Sequence, residues 1–248
     1  MSRIQNYPLS SMNALFDKIH DELSKYKYLE EAAQKCVDTM YREFEESIVL
    51  IRLYATVPFK QLPASNQEFV IKFGNSKGIT PFIKDDTRVL SLLGTRGVKA
   101  AWNDRHKSQG HLGIPLVTAS FVESIPMIAW LLKEMGVGLD WIDNQDAWVV
   151  GKTLRTGLAS MFYVPDAKTA VDYMGRKIIP AQDFVTTYGI KTVFGMGGSY
   201  INGTFITIIL FTREVIEKSK TEKFMPLAST FKSATMSIAL EGKIFAGL

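Results

Sequence analysis

The sequence predicts an α+β fold: a central, mostly antiparallel sheet flanked by helices, with an enlarged helix-and-loop insertion. Three observations carry this. Apolar residues recur at helical spacing near both ends of the chain. Residues 191 to 212 hold two strand-like runs on either side of Asn202-Gly203, a preferred hairpin dipeptide. Strands and helices do not alternate as βαβ units, which excludes a repeated parallel architecture.

The elements follow in order. Met12, Leu15, Phe16, Ile19 and Leu23 predict an amphipathic helix over 10–25, with Ser10 or Ser11 as its cap. Leu29, Ala33, Cys36, Val37, Met40 and Phe44 predict a second over 29–46. This leading segment, 1–46, can pack on the sheet or pair two chains as dimerisation helices, and 47–248 forms the main domain. Ile48 to Thr56 is the first strand, apolar except for one charge, Arg52. Ser65 to Phe73 predicts a short helix and Arg88 to Gly94 a second strand.

An insert occupies roughly 95–147. Its first part, 94–118, has no periodicity and is long for a connection, a length that usually signals function. Residues 121–135 are helical, with Pro126 favouring a fresh start there. Residues 138–146 read as loop, 147–153 and 158–164 as strands, 165–179 as loop and 181–188 as a short helix. In the hairpin, Phe205 to Phe211 is continuously apolar and β-branched, so it predicts a central strand buried on both faces. Asn202-Gly203 predicts a two-residue type I′ turn with both residues at positive φ. A closing helix spans 219–240, with Ser219 and Glu222 at capping-box spacing.

With 46% hydrophobic residues, the 248-residue chain can bury a sizeable core. The net charge of +4 is small, and the basic residues are scattered rather than striped, which argues against nucleic-acid binding. The single cysteine, Cys36, excludes an internal disulfide and suits a reducing cytoplasm. No apolar run is long enough to insert into a membrane. A soluble cytoplasmic protein is expected.

The helix 29–46 leading into strand 48–56, the hairpin Val-Phe-Gly-Met-Gly-Gly…Asn-Gly-Thr-Phe-Ile-Thr-Ile-Ile-Leu-Phe and the return helix 224–240 resemble a GAF-like (GAF/PAS-type) sensory domain. Phe-Tyr-Val-Pro-Asp-Ala at 162–167 resembles the penultimate strand and loop of such sensors. Leu-Leu-Gly-Thr-Arg-Gly, Trp-Asn-Asp-Arg and Ile-Pro-Met-Ile-Ala-Trp-Leu-Leu-Lys-Glu-Met-Gly-Val are similar to N-terminal sensor regions of bacterial two-component histidine kinases. The resemblance implies a small-molecule ligand held between the sheet and the insert. It also implies a histidine-kinase-type effector.

Candidate site residues gather in the insert. Arg96 and Arg105 can grip an anionic group while Trp102 stacks on a flat moiety. Asp104, His106 and His111 are the only cluster of metal-capable side chains, without a fourth ligand, so no metal site is assigned. Trp130 and Tyr163, with Phe162, Met196 and Tyr200, are candidate pocket-lining residues. Gly195-Met-Gly197-Gly198 fails as a phosphate loop, because Tyr200 takes the third glycine position and a hairpin follows rather than a helix. Close backbone approach is the expected role of these glycines. His20 sits in a helix reminiscent of a kinase phosphoacceptor, but no proline follows it and no kinase catalytic domain is present. No cofactor is identifiable.

The function expected is a non-catalytic sensory module that binds a small ligand and relays a shift through its terminal helices. The alternatives are a ligand-free dimerisation scaffold, with its apolar stripe on helix 10–25, or a hydrolase built on Asp104 with His106 or His111. One cysteine nearly excludes the family's sulfoxide-reductase chemistry.

Overall fold

The centre of the molecule is where the hairpin predicts it. Strand β6 (Phe205–Thr212) is buried at every position and lies between β1 (Ile48–Pro58) and β5 (Val193–Ser199). A computed structural model describes residues 2–108, 111–136, 138–143 and 160–247. Its sheet has six strands in the order β3-β2-β1-β6-β5-β4, antiparallel at every pairing. β2 spans Arg88–Gly97, β3 Gly113–Pro115 and β4 Ser160–Val164. The α+β, mostly antiparallel architecture expected from the sequence is the one the chain adopts. The strand expected at 147–153 lies outside the described residues.

Side-chain alternation along the central strands divides the core in two. Ile51, Leu53 and Ala55 of β1 and Ile206, Ile208 and Leu210 of β6 point to one face. There they meet helices α1 (Leu9–Leu23) and α2 (Leu29–Glu43) and the closing helix Pro226–Ala234. The apolar stripe of α1 is thus spent within its own chain: Met12, Leu15, Phe16, Ile19 and Leu23 are all buried there. Leu50 and Tyr54 of β1, with Ile209 and Phe211 of β6, point to the other face, which the insert covers.

Several boundaries differ from the sequence reading, each for a local reason. Helix α3 runs Ala64–Lys77, longer than expected, and ends where Gly78 takes a left-handed conformation. Helix α1 starts after Pro8 with no side-chain cap from either serine. Residues 113–115, expected to be irregular, form an edge strand β3 against Ser91–Val89. Pro126 divides the insert helix into α4 (Ala119–Glu123) and α5 (Pro126–Glu134). A helical turn, α6 (Asp140–Asp143), falls in the expected loop. The closing helix is segmented too, and Ser219 lies within the turn Lys218–Thr221 rather than capping it.

The hairpin turn is not type I′. Asn202 has negative φ, and Gly203 alone adopts φ 80°. The Gly203 N–H donates to Tyr200 O at 3.0 Å and the Tyr200 N–H to Thr204 O at 2.8 Å, so the loop holds three residues with glycine at its left-handed position. Asn202 has a different task. Its Oδ1 accepts from the Thr204 N–H (3.0 Å), and its Nδ2 donates to Ala239 O (2.8 Å), tying the tip to the closing helix. Gly197 supplies close approach, since a Cβ there would lie 2.3 Å from Ile206 O. Buried Cys36 has its thiol pushed up to about 12 by desolvation, so it is an inert core group. No helix among the described residues is long and apolar enough to cross a membrane.

Candidate functional site

The insert does not pack flush on the sheet. Between them lies a cavity of about 340 Å³, within the range of small-molecule sites (~300–1,000 Å³). Its floor is the outward row of the two central strands: Leu50, Arg52 and Tyr54 of β1, with Ile209 and Phe211 of β6. Period-two alternation puts Arg52 in this row, between two residues of the insert-side core. The roof comes from Ile125, Met127 and Ile128 at the start of α5, where Pro126 has broken the helix. The walls are Trp102 and His111 from the long loop, Ile114 of β3, and Ile179 to Phe184 leading into the helix Gln182–Thr187.

Aromatic rings stiffen one end of the cavity. Trp102 meets Phe184 at 5.6 Å and Tyr188 at 4.9 Å between centroids, and Phe184 meets Phe211 at 5.5 Å, all edge-to-face. Trp102 is held in place because Asn103 Oδ1 accepts the Gly97 N–H at 2.9 Å, closing the turn that leaves β2.

The polar content is small. Arg52 Nη1 donates to Tyr54 Oη at 3.3 Å, a long hydrogen bond, and Arg52 Nε is buried with no acceptor. Among the described residues no carboxylate lines the cavity or pairs with this guanidinium. His111 stands at the mouth as an exposed residue, with its inner side buried against the walls. That burial, together with the positive charge of Arg52, holds its imidazole down to about 4, neutral near pH 7.

The candidate residues read from the sequence are distributed over several places. Trp102 and His111 line the cavity. Trp130 packs on the insert-side core without reaching the cavity lining, its Nε1 buried and unpartnered. Arg96 points to the opposite face, 5.7 Å over the Tyr41 ring and 3.7 Å from Asp38 Oδ1. Tyr163 also packs on that face, its hydroxyl donating to Ile216 O at 2.8 Å. Phe162 belongs to the insert-side core, and Met196 and Tyr200 to the helix-side core.

His106 is exposed. Asp104 Oδ1 accepts its backbone N–H at 2.9 Å and lies 3.0 Å from its Nδ1. Burial alone would raise the Asp104 carboxyl, but these contacts and the nearby positive charge lower it. His111 is on the cavity instead, so the sequence cluster is divided. Among the described residues no group of three or more His, Cys, Asp or Glu side chains is placed to hold a metal ion.

Arg105 is 6% exposed and serves as a structural anchor. It forms an ion pair with Glu30, donates to Asn66 Oδ1 at 3.3 Å and lies 5.1 Å over the Phe245 ring. Glu30 in turn accepts the Ala246 N–H at 2.6 Å. The Leu29 and Glu30 N–H groups at the start of α2 donate to Lys243 O (2.9 Å) and Ile244 O (3.0 Å). The C-terminal segment therefore satisfies the open N–H groups of α2 that no side chain caps.

The residue that sequence reasoning passed over is Arg52. Its signal was present: one charge within a strand otherwise apolar from Ile48 to Ala55. A lone arginine in a central strand must point into an unusual environment.

No family model and no curated protein matches the chain. Solved structures do. The GAF domain of an Acinetobacter phosphoenolpyruvate-protein phosphotransferase aligns over 100% of both chains, with 11% identity and a TM-score of 0.47. A phycoerythrobilin-bound GAF domain from a cyanobacterial phytochrome aligns over 93% of this chain and 97% of its own (8%, 0.46). A phycocyanobilin-bound one aligns over 93% and 96% (10%, 0.44). All three are described as GAF domains. None of the three is a histidine-kinase sensor by its description.

Proposed function

We propose that the chain is a non-catalytic cytoplasmic sensory module that binds a small, largely apolar molecule in the cavity over β1 and β6. The supporting observation is the cavity itself: about 340 Å³ of space over the central strands, floored by an arginine without a carboxylate partner among the described residues. A packed core would close such a volume, since interiors are filled to crystal-like density.

The loop that walls the cavity suggests how occupancy is relayed. Trp102 and His111 touch the cavity, and Arg105, between them in sequence, is locked to Glu30 at the start of α2. Glu30 also holds Ala246. A ligand that prefers one position of this loop therefore biases the seat of the C-terminal segment on α2. An effector of the histidine-kinase type, or a second copy of the chain, would read that change through the terminal segments.

Native mass spectrometry of the protein as purified from cells tests the reading. The expected result is a bound small mass that is lost in Ile209→Trp, which fills the cavity floor. Hydrogen exchange over 243–247 should be slower in the occupied form. An empty protein whose exchange at 243–247 is the same in the filled variant would overturn both parts.

A further inference from the structure

We infer that the cavity selects an apolar monocarboxylate, with the carboxylate on Arg52 and the hydrocarbon or aromatic body toward Trp102, Phe184 and Ile209. This inference rests on the reading of the cavity as a ligand site and adds the chemical class of the ligand.

The charge is the first consideration. A guanidinium cannot shed its proton, so Arg52 keeps a positive charge on the cavity floor. Arg52 is half-buried, and its Nε is fully buried. Every carboxylate–arginine contact elsewhere among the described residues involves Arg3, Arg96, Arg105 or Arg176, and none involves Arg52. Tyr54 Oη offers one long neutral contact, and Nε has none. Buried donors left unpaired are uncommon in folded proteins and point to an absent partner. A carboxylate supplies what is lacking. It accepts two N–H groups side by side once the guanidinium turns that edge into the cavity.

Other ligand classes fit less well. A cation is repelled by Arg52. A phosphate monoester carries about two charges at neutral pH and is usually held by several cations or a row of backbone N–H groups. Here His111 is neutral near pH 7, and among the described residues Arg52 is the only charged one in the lining. A sugar or a nucleobase needs several hydrogen-bonding partners around its rim, and the rest of the lining is mainly Leu, Ile, Met, Phe and Trp. A single negative charge on an apolar body matches one guanidinium in an apolar cavity.

The test compares acids with their isosteric amides on the unaltered protein. Octanoate and phenylbutyrate, against octanamide and phenylbutyramide, are titrated by calorimetry and by intrinsic tryptophan fluorescence. Each acid should bind about 10- to 100-fold more tightly than its amide, the worth of a charge-assisted hydrogen bond pair. Arg52→Met should abolish that preference, bringing each acid to the affinity of its amide. Acids and amides that bind equally, both blocked by Ile209→Trp, would overturn the carboxylate and leave the cavity reading standing. An acid preference that survives Arg52→Met would overturn the role of Arg52. No binding of any of the four at millimolar concentration would overturn both this inference and the cavity reading. The comparison on the unaltered protein keeps its force even where a variant fails to fold.

Discussion

The two faces of one sheet are built to opposite rules. On the helix face, neighbouring residues of β1, β6 and β5 are sealed by α1, α2 and the closing helix, with Phe44, Phe194, Phe224 and Phe231 fully buried. Most polar groups on that side find partners, Arg96 Nε being an exception with no hydrogen bond. Tyr200 Oη lies 2.7 Å from Thr235 Oγ1, which itself donates to Phe231 O at 2.6 Å. On the insert face, β1, β2 and β6 present Arg52, Thr95 and Thr207 in one neighbourhood, paired across the register with Ile209, Arg52 and Tyr54 respectively. Arg52 Nε, Thr95 Oγ1 and Thr207 Oγ1 are all buried without a partner. One face is optimised for cohesion. The other leaves open space and, among the described residues, a guanidinium with no carboxylate partner.

Truncation of a large side chain should separate the faces most sharply. Phe231→Ala on the helix face is expected to cost about 3–5 kcal/mol, because a dense core cannot collapse around the void. Phe184→Ala beside the cavity should cost less, about 1–2 kcal/mol, since Phe184 is half-buried and already borders open space. Equal losses in urea-melt midpoints would mean that the insert face is packed as tightly as the other. Next comes the tether between the faces. Arg105→Ala leaves the largely enclosed Glu30 carboxylate with the Ala246 N–H but no countercharge, with an expected cost of about 3 kcal/mol. It should also speed hydrogen exchange at 243–247, where a purely local effect would leave the C-terminal segment protected.

The helix face was legible in the sequence because its residues repeat at the spacings that helices and strands impose. Met12 to Leu23 and Leu29 to Phe44 each mark a stripe, and Phe205 to Phe211 could only be central. The cavity was far less legible. Its walls come from β1, β6, α5 and three separate loop segments, brought together by topology rather than periodicity. Trp102 and His111 stood out by residue type, but Arg96, Tyr163, Met196 and Tyr200 carry the same chemical promise and point the other way across the sheet. Only the strand register, one residue at a time, decides which side a residue serves. Strand β3 was hidden for a related reason: three residues hold no pattern, and their extended form comes from pairing with β2. At Asn202-Gly203 the dipeptide marked the turn correctly, while the bond from Asn202 to Ala239, a tertiary contact, accompanies a different turn geometry.

A smaller effect with the opposite sign sharpens the contrast further. Arg52→Met should raise the stability of the ligand-free protein by about 1 kcal/mol, because it removes a poorly compensated charge and keeps the volume. A stability loss of that size would show that Arg52 is a structural member of the sheet rather than a group held ready for a partner.

The smallest expected effect is the pH response of His111. Its folded-state value, about 4, lies below the ordinary 6.5. The folded protein therefore binds fewer protons than the unfolded chain between these values. The stability that follows from the neutral ring is complete above about pH 6.5 and is lost as pH falls toward 4. The loss is modest, since part of His111 is open to water. Carboxylates with lowered values, such as Asp104, Asp166 and Asp172, lose their contribution below this window, so His111→Asn should flatten the upper part of the profile alone. Because Arg52 is one of the two causes, Arg52→Met should move the His111 titration upward in proton NMR. A bound carboxylate that neutralises Arg52 should do the same. Titration of His111 near 6.5 in both the unaltered protein and Arg52→Met would mean that neither the walls nor Arg52 act on it, and the insert face would then be open to water where the cavity is drawn.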